Sequence, residues 1–487
     1  MNMSFAEMYG DLSLIIPEVV LFVFACLVFA MGARGKQSTG SMAVWSFFGL
    51  VITTILLLIT HKGQAFGVMF LADGFALAFK LIILVAAMFT VASSIDLTGK
   101  FPAHRGEYYG IVLLSAVGMM FMVSAGELLS MYVALELSTV SLFVLAAYNK
   151  FNTKSAEAGL KYVILGAISS AVLIYGIALM YGLTGTTEYG QIKDALLQLR
   201  FSAGEFPRGF FVAAVLLIAG FGFKLSLVPF HMWAPDVYEG APTPITAYLS
   251  TASKAAGLAV FLRVFFGGLV IAQSEWLMIL AVLAALAMIV GNITAVVQKN
   301  IKRMLAFSSI AHIGYILVAV VATNAAGVSS MTFYMMAYLF ANMGAFIVAI
   351  VVAQKTGSDL IMDYSGLSRR SPLLAGYMLI FLLSLTGIPP LAGFVGKYYV
   401  FMAAIGQGYM WLVLIALLTS VIALYYYAYV MWRMYFAKEG EYPADPVPFP
   451  VLPKIVLSVA VLAILVIGVF PAPFLDFART AAQSFVP

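Results

Sequence analysis

Long apolar runs recur along the chain from Leu12 to Phe470, and polar connections separate them. Each run has about 20 residues, which is enough for an α-helix to cross a hydrocarbon core about 30 Å thick. Such a series excludes an outer-membrane barrel, whose strands would show short alternating segments. The pattern predicts an all-α polytopic membrane protein with about 14 transmembrane helices. Their predicted limits are 12–33, 41–60, 74–95, 108–125, 127–148, 156–182, 209–234, 243–266, 274–297, 301–322, 331–353, 371–401, 409–436 and 453–470.

Most of the connections between these helices are short, and the clearest exceptions are 184–208 and 437–452. The second contains EGEYPADPVPFP, whose proline and acidic residues predict a solvated connection. We therefore expect one membrane domain over 1–487, in which 1–107 holds helices 1–3 and 453–487 holds helix 14 and a tail.

Two of the predicted helices are interrupted. In helix 7, Pro229 follows Lys224 within FGFKLSLVPFHMWAPDVYEGAPTP. In helix 12, the segment TGIPPLAG precedes Lys397. Proline removes a backbone donor and displaces a carbonyl, so the freed groups need partners other than lipid.

The two interruptions fall at matching places. Helices 4–8, in 108–266, and helices 9–13, in 274–436, form two five-helix units, and the fourth helix of each is broken. A unit with an odd number of helices that is repeated once must be inverted in the membrane. Interrupted spans at corresponding positions of two halves are a sequence indicator of a transporter's ion path.

Composition and cysteine content narrow the class of protein. The chain is 63% hydrophobic and 10% charged, against about 25% charged in soluble domains. Cys26 is the only cysteine, which excludes a disulfide framework or a cysteine-ligated cluster or zinc site within this chain. We expect Cys26 to be a packing residue of helix 1. If electron transfer is involved, another subunit carries it.

The basic residues predict the orientation. Of the 26 lysines and arginines, 15 fall in or beside the loops after odd-numbered helices, six on the other side and five within spans. The positive-inside rule then makes the odd-numbered loops cytoplasmic and both termini external. The asymmetry explains the net charge of +5 and indicates no nucleic-acid partner.

The lysines within the predicted spans are the most informative feature. An ammonium at the centre of a bilayer helix costs about 2.5–3.5 kcal/mol, so such residues usually line an internal polar path. A carboxylate, Glu136, is predicted at similar depth. Lysines and a glutamate buried together indicate proton transfer. The five lysines are Lys80, Lys161, Lys224, Lys254 and Lys397.

Each of these residues also has a purely structural interpretation. Lys80 could extend to the outer surface past Asp73, and we weigh the two roles equally. Lys161 forms a favourable i,i+4 pair with Glu157, although we favour a role in transport. Glu18 follows Pro17, and an interfacial or capping position is favoured over transport.

Glu136, Lys224 and Lys254 lie far from their helix ends, so we favour the proton path for all three. Lys397 follows a break, and we favour the same role. Two histidines in the same region are possible proton relays, because an imidazole titrates near neutrality. A lone histidine is more often a packing residue. They are His231 and His312.

The central motifs resemble those of a known family. GFGFKLSLVPFHMWAPDVYEGAPTPITAYLSTASKAAG, NIKRMLAFSSIAHIGYILV and GIPPLAGFVGKYYV are similar to segments of the antiporter-like membrane subunits of respiratory complex I, the NADH-quinone oxidoreductase. The VYEGAPTP junction and the lysine in STASKAAG favour the N type, the counterpart of mitochondrial subunit 2, over the sister L and M types.

The resemblance implies a 14-helix bundle with inverted repeats in a bacterial inner membrane. It matches Glu136, Lys161, Lys224, Lys254 and Lys397 to the family's helix 5, 6, 7, 8 and 12 positions. It also implies proton pumping beside other membrane subunits, with FMN, iron–sulfur clusters, NADH oxidation and quinone reduction in partner subunits. No cofactor is implied for this chain.

A mechanism follows from the chemistry of the buried groups. Burial favours the neutral form of a lysine, and a nearby carboxylate favours the charged form, so altering the carboxylate's influence releases the proton. We assign Glu136 as the modulator of Lys224, Lys254 as the central relay and Lys397 as the exit-side group.

Three alternatives stay open. The chain could be a subunit of a multi-subunit cation/proton antiporter, or a membrane subunit of a proton-pumping hydrogenase-type complex. It could also be a structural spacer of a membrane arm, in which the charges have no transport role.

Overall fold

The computed structural model describes residues 5–34, 39–98, 105–440, 443 and 445–485. Among these residues, 13 helical stretches are long and apolar enough to cross a membrane. The prediction of an all-α polytopic membrane protein is therefore confirmed. Some residues used in the predictions lie outside the described part, namely Lys36 and Lys100 of the basic loops and Glu441, Tyr442 and Ala444 of the proline-rich connection.

The N-terminal part holds three membrane helices and an antiparallel hairpin. In the hairpin, Gly63 pairs with Ala72 and Ala65 with Phe70. Cys26, which we expected to pack, is exposed on the surface of its helix. The elements are α1 (Phe5–Leu14), α2 (Ile16–Ala33), α3 (Thr39–Ile59), β1 (Gly63–Ala65), β2 (Phe70–Ala72), α4 (Gly74–Ser93) and α5 (Ile95–Thr98).

The next part contains the first interrupted helix. The connection 184–208, predicted as a long loop, instead contains a helix, because Ile192 and Leu196 share a buried face one turn apart. π-helical turns occupy Leu249–Ser253 and Arg263–Gly268. The α-helices are α6 (Arg105–Ser124), α7 (Leu128–Ala146), α8 (Thr153–Thr184), α9 (Tyr189–Ala203), α10 (Arg208–Leu225), α11 (Trp233–Gly240), α12 (Thr243–Tyr248) and α13 (Lys254–Leu262).

The last part contains the second interruption, since the predicted helix 12 is formed by two shorter helices, α18 and α19. Short 3-10 turns occupy Val270–Ala272 and Ile361–Tyr364. The α-helices are α14 (Gln273–Val296), α15 (Ile301–Val321), α16 (Ala325–Thr356), α17 (Leu367–Arg370), α18 (Pro372–Thr386), α19 (Ala392–Ile405), α20 (Met410–Phe436), α21 (Val451–Val469) and α22 (Ala472–Gln483).

Two of the helices share the same length and the same ending. Both α8 and α16 have 32 residues, and each ends at a glycine, Gly185 or Gly357, with φ 72° and ψ 9°. Just beyond each glycine the chain forms an isolated β-bridge to the start of another helix, Glu127 with Glu188 and Asn300 with Leu360. A left-handed residue is the usual way to end a helix, and glycine adopts it without steric cost.

The core of the bundle is formed around α15 and α16. The most apolar 18-residue window of α15 is 100% buried, and that of the 243–268 stretch is 94% buried. In contrast, α2 and α8 are each 28% buried and present apolar side chains to the surroundings. Lys254 and His312, which lie on these stretches, are therefore inside protein rather than against lipid.

Candidate proton path

Lys224 lies in the last turn of α10, immediately before the first interruption. Ser226 takes a left-handed conformation at φ 59° and ends the helix, and its backbone N–H donates to the Gly222 and Phe223 carbonyl oxygens. The indole Nε1 of Trp233, at the start of α11, also donates to the Phe223 carbonyl at 2.9 Å. The carbonyls freed by the break are thus bonded within the protein, as a membrane interior requires.

The side chain of Lys224 is directed toward α7. Its Nζ donates to Thr139 Oγ1 at 2.9 Å, and the residue is 5% exposed. Glu136 precedes Thr139 by three positions, so it lies on the same face of α7. It accepts a hydrogen bond from the Ser170 hydroxyl of α8 and is half-buried. It also lines a cavity of about 1130 Å³ between α6, α7 and α8.

Lys254 follows the π-helical turn Leu249–Ser253 and is 1% exposed. Its Nζ donates to Ser309 Oγ of α15 at 2.8 Å and lies 5.9 Å from the centre of the Tyr238 ring. π-helical turns are uncommon and frequently occur at functional sites, because they change the direction in which side chains point.

Lys224 and Lys254 lie on two helices that pack closely against each other. Gly257, one turn after Lys254, lies so close to α10 that a Cβ built on it would be 3.1 Å from Lys224 Cγ. Lys224 and Lys254 are distant in sequence, yet both helices contribute their lysine to the same part of the interior.

His312 lies in the middle of α15 among tyrosines. Its Nδ1 is 2.7 Å from the Tyr334 hydroxyl, and its Nε2 is 3.3 Å from the Tyr427 hydroxyl. The imidazole is 3% exposed. Both ring nitrogens therefore have partners, so either could hold the proton.

Two further tyrosines connect His312 to the lysines on either side. Tyr338 donates to Ser309 Oγ at 2.8 Å, the same oxygen that Lys254 contacts, and its ring lies 5.1 Å from the His312 ring. On the other side, the Tyr315 ring lies 5.7 Å from His312 and 4.5 Å from Lys397 Nζ. Polar and aromatic side chains thus extend from α13 to α19.

Lys397 follows the second interruption, in the first half of α19, and is 5% exposed. Its Nζ donates to the Thr386 carbonyl oxygen at 2.9 Å and to Ser420 Oγ at 3.2 Å. Thr386 is the last residue of α18, so its carbonyl is one that the broken helix leaves without an intrahelical donor.

Within the part of the chain that the structure describes, Lys161 and His231 make no hydrogen bond to this interior group. The Lys161 side chain is 41% exposed and forms ion pairs with Glu157 at 2.6 Å and with Asp236 at 2.8 Å. His231 lies within the first break and is 9% exposed. Among the described residues, its Nδ1 has no hydrogen-bond partner.

Glu18 differs from our expectation, and the structure contradicts one of the two interpretations that we weighed equally for Lys80. Lys80 does not extend to the surface, and Glu18 is not interfacial, since their side chains are 2% and 0% exposed and form an ion pair at 2.6 Å. The Phe70 ring of β2 covers Lys80 Nζ at 4.5 Å. A residue one or two turns from a helix end is expected to be exposed only when no other element covers that end. Here the β1–β2 hairpin covers it.

Sequence reasoning also missed several polar partners. The tyrosines Tyr315, Tyr334 and Tyr338 carry no signal in the sequence, because an apolar helix can use tyrosine equally well for packing. The acidic residues Asp236 and Glu239 stand in the VYEGAPTP region, where their proximity to the break was the available signal. Among the described residues, no cluster of three or more His, Cys, Asp or Glu side chains could hold a metal ion.

Comparison with known proteins shows the family of the chain. The sequence profile of the family described as "NADH:quinone oxidoreductase/Mrp antiporter, TM" matches residues 125–423. NADH-quinone oxidoreductase subunit N of Desulforamulus reducens is 43% identical over 486 residues, which is 100% of both chains. A chain of respiratory complex I from Thermus thermophilus has a TM-score of 0.80 and 34% identity, covering 95% of this chain and 99% of that chain.

A chain of the Mrp complex from a Dietzia species has a TM-score of 0.85 at 20% identity, covering 97% of each chain, which is a likeness of fold alone. The fold and the profile define the class as the antiporter-like membrane proteins of NADH:quinone oxidoreductases and Mrp antiporters. Within that class, the chain belongs to the family of NADH-quinone oxidoreductase subunit N.

Proposed function

We propose that this chain is a proton-translocating membrane subunit of an NADH:quinone oxidoreductase. The observation that carries the proposal is the interior series of ionisable and hydroxyl side chains that begins at Glu136 and reaches Lys397. Full-length similarity to subunit N of Desulforamulus reducens supports the assignment to this complex.

The hydrogen-bond partners of the three interior lysines suit proton transfer. Lys224, Lys254 and Lys397 donate to hydroxyl or carbonyl oxygens rather than to carboxylates. A neutral acceptor does not favour the ammonium as strongly as a carboxylate would, so each amine can alternate between its charged and neutral forms.

Glu136 acts as the modulator of the first lysine. It shares a face of α7 with Thr139, the hydrogen-bond partner of Lys224. A negative Glu136 favours the charged form of Lys224, and neutralising or displacing it favours proton release. The cavity beside Glu136 leaves room for a neighbouring subunit or water to change that charge.

The remaining residues extend the path. Lys254 is the central relay, His312 and its tyrosines carry the proton onward, and Lys397 is the exit-side group. Lys161 and His231 serve the entry side, since Lys161 is half-exposed and His231 lies within the break next to α11.

The chain works as a non-redox part of the enzyme. FMN, iron–sulfur clusters and the quinone site belong to partner subunits, and conformational change or charge in those subunits drives the proton steps here. The excess of basic residues after odd-numbered helices supports an inner-membrane orientation with both termini outside.

The same proposal includes an inverted repeat of 108–266 and 274–436. It is supported by the equal lengths and identical endings of α8 and α16, and by the β-bridge that follows each. Consecutive membrane spans alternate in direction, and α8 and α16 are the sixth and eleventh of the predicted spans, so the two endings face opposite sides of the membrane.

The test uses Lys224→Ala, Glu136→Gln and Lys254→Ala in the assembled complex. Each should lower proton translocation by about tenfold or more, because a positioned proton-transfer group contributes on the order of 10²–10⁴ in rate. Lys224→Arg should not restore pumping fully, because a guanidinium stays protonated. The measurements are proton translocation and NADH:quinone turnover in membranes with equal amounts of assembled complex.

The control is Lys193→Ala in the exposed face of α9, which should behave like the parent. Normal pumping by all three central variants would contradict the proposal and favour a structural spacer. Dependence of pumping on Na⁺ rather than on pH would instead favour the cation/proton antiporter alternative.

A further inference from the structure

The short helix α11, the second half of the interrupted helix 7, is held at its acidic face by three cations. Asp236 Oδ2 accepts from Lys161 Nζ at 2.8 Å, and its Oδ1 accepts from Arg303 at 2.6 Å. Glu239, one turn later, is 3.0 Å from Lys154 and 3.4 Å from Arg303. Both carboxylates of α11 therefore bridge to two other helices.

The cations come from both five-helix units. Lys154 and Lys161 lie on α8, in the first unit, and Arg303 lies on α15, in the second. The neighbouring Lys302, 4% exposed, donates to the Ala241 carbonyl oxygen just past α11 at 2.9 Å. The end of α11 is thus fixed between the two units by charge.

The opposite face of α11 covers the central lysine. Tyr238 is fully buried, and its ring lies 5.9 Å from Lys254 Nζ. The Tyr238 carbonyl oxygen accepts a hydrogen bond from the buried Thr246 hydroxyl at 2.9 Å. At the start of the helix, Trp233 stacks on Tyr162 with ring centres 4.6 Å apart. One turn of helix therefore connects the charged cluster with the surroundings of Lys254.

The energetics allow this connection to be reversible. The side chains of Asp236, Lys161 and Arg303 are 33%, 41% and 32% exposed, so solvent screens each ion pair and each stabilises the contact only weakly. The Asp236 carboxylate accepts hydrogen bonds from both Lys161 and Arg303, so neutralising it would leave two cations facing each other.

We propose that Asp236 is a positioning residue whose ion pairs to Lys161 and Arg303 hold α11 over Lys254, and that release of these pairs opens Lys254 to the side of the basic loops. Charge changes at Lys161 or in a neighbouring subunit would then control when the central lysine takes up a proton. This inference rests on the proposed function for its role in transport, but the movement of α11 is independent of pumping.

The experiment measures the accessibility of a cysteine beneath α11. In the assembled complex, Cys26→Ser removes this chain's own cysteine, and Thr246→Cys places a new cysteine beneath Tyr238. Labelling is measured on this chain. A membrane-impermeant maleimide is applied to the side of the basic loops. Asp236→Asn should raise the labelling rate by about tenfold, equivalent to about 1.4 kcal/mol in the opening equilibrium. Asp236→Glu should restore slow labelling.

A matched surface pair provides the control. Arg369 and Glu439 form an ion pair at 2.7 Å on the same side of the chain, with side chains 55% and 85% exposed. Glu439→Gln should leave the labelling rate unchanged. If Asp236→Asn fails to assemble, Arg303→Gln removes the same bond from its other partner and should give the same increase.

The outcomes separate the two proposals. Unchanged labelling in assembled Asp236→Asn or Arg303→Gln would overturn the positioning role, even if Lys254→Ala abolishes pumping. Faster labelling together with normal pumping by all three central variants would leave the positioning role in place and reject the transport function. If Glu439→Gln raises the labelling rate as much as Asp236→Asn does, the substitutions loosen the whole structure, and this would also overturn the inference.

Discussion

The two interrupted helices place their lysines on opposite sides of the break. In the first, Lys224 precedes the interruption and donates a hydrogen bond to the Thr139 hydroxyl on α7. Glu136 lies on the same face of α7 as Thr139. In the second, Lys397 follows the interruption and bonds to the carbonyl of Thr386, which the break itself makes available. A neighbouring helix therefore supplies the hydrogen-bond partner of the first lysine, whereas the backbone of the same interrupted helix supplies a partner of the second.

The difference indicates separate tasks for two similar structures. A lysine near a carboxylate can be switched by that carboxylate, because charge acts over several ångströms in a low-dielectric interior. A lysine bonded to a backbone carbonyl has a fixed partner, so its proton affinity depends on the state of its neighbours on the path. This contrast fits a modulated group at one end and a passive exit group at the other.

The two breaks should differ most in how far a glycine-to-alanine substitution, which adds one methyl group, destabilises the protein. At Gly393, a Cβ would overlap the carbonyl oxygen of Ser384, which is backbone and cannot move away cheaply. At Gly222, a Cβ would meet the Phe230 ring at 2.7 Å, and a ring can rotate. Gly393→Ala should cost more than about 3 kcal/mol and reduce assembled complex severely, whereas Gly222→Ala should cost about 1 kcal/mol.

Quantifying intact complex in membranes and its thermal midpoint checks this prediction. Gly376→Ala is the control, since a Cβ there meets no heavy atom within 4 Å. Equal losses for Gly393→Ala and Gly222→Ala would mean that the second break is no more tightly packed than the first.

A smaller effect is expected from exchanging the residues that end the preceding helices. Ser226 has φ 59° and Gly387 has φ 92°, so both positions favour glycine. Ser226→Gly should be neutral or stabilising, because the buried Ser226 hydroxyl has no hydrogen-bond partner among the described residues. Gly387→Ser should destabilise by about 1–2 kcal/mol. Its Cβ would also lie 3.0 Å from Lys397 Cδ and should impair pumping.

Thermal unfolding of the purified complex, combined with a pumping assay, measures both substitutions. A destabilised Ser226→Gly variant would contradict this prediction and show that the serine side chain has a role at the first break.

The smallest effect concerns the hydroxyl groups that contact the lysines. Thr139→Val removes the hydrogen-bond acceptor that Lys224 has on α7, whereas Ser420→Ala leaves Lys397 its bond to Thr386. Thr139→Val should cost about 1–2 kcal/mol and slow pumping, and Ser420→Ala should cost less than about 1 kcal/mol. Comparison of pumping rates at several pH values would detect the change at Lys224. A larger effect from Ser420→Ala than from Thr139→Val would contradict this prediction.

Several features could be predicted because they depend on local chemistry alone. The thickness of a membrane requires long apolar helices, and these are found where the apolar runs lie. Pro229 and the segment around Pro390 predicted both interruptions, because proline cannot continue a helix without losing a hydrogen bond. Lys224 and Lys254 were expected inside the protein because they lie far from the ends of their predicted spans, and both are buried.

Other features depend on contacts that no local pattern specifies. Glu18 and Lys80 form a buried pair because the β1–β2 hairpin covers the end of their helices. The π-helical turn before Lys254 directs that lysine toward Ser309, although the sequence there fits an ordinary helix.

The sequence by itself determined that this chain is a helical membrane protein with lysines inside it, because transfer into lipid is costly for any charge whatever surrounds it. Only the tertiary structure decided which groups those lysines meet. Thr139, Ser309 and Asp236 come from helices far along the chain from the lysines that they contact, and these contacts depend on how the helices pack. The physical reason is that the cost of placing a residue in a membrane depends on that residue alone. A hydrogen bond instead requires two groups at a defined distance, which only the folded chain provides.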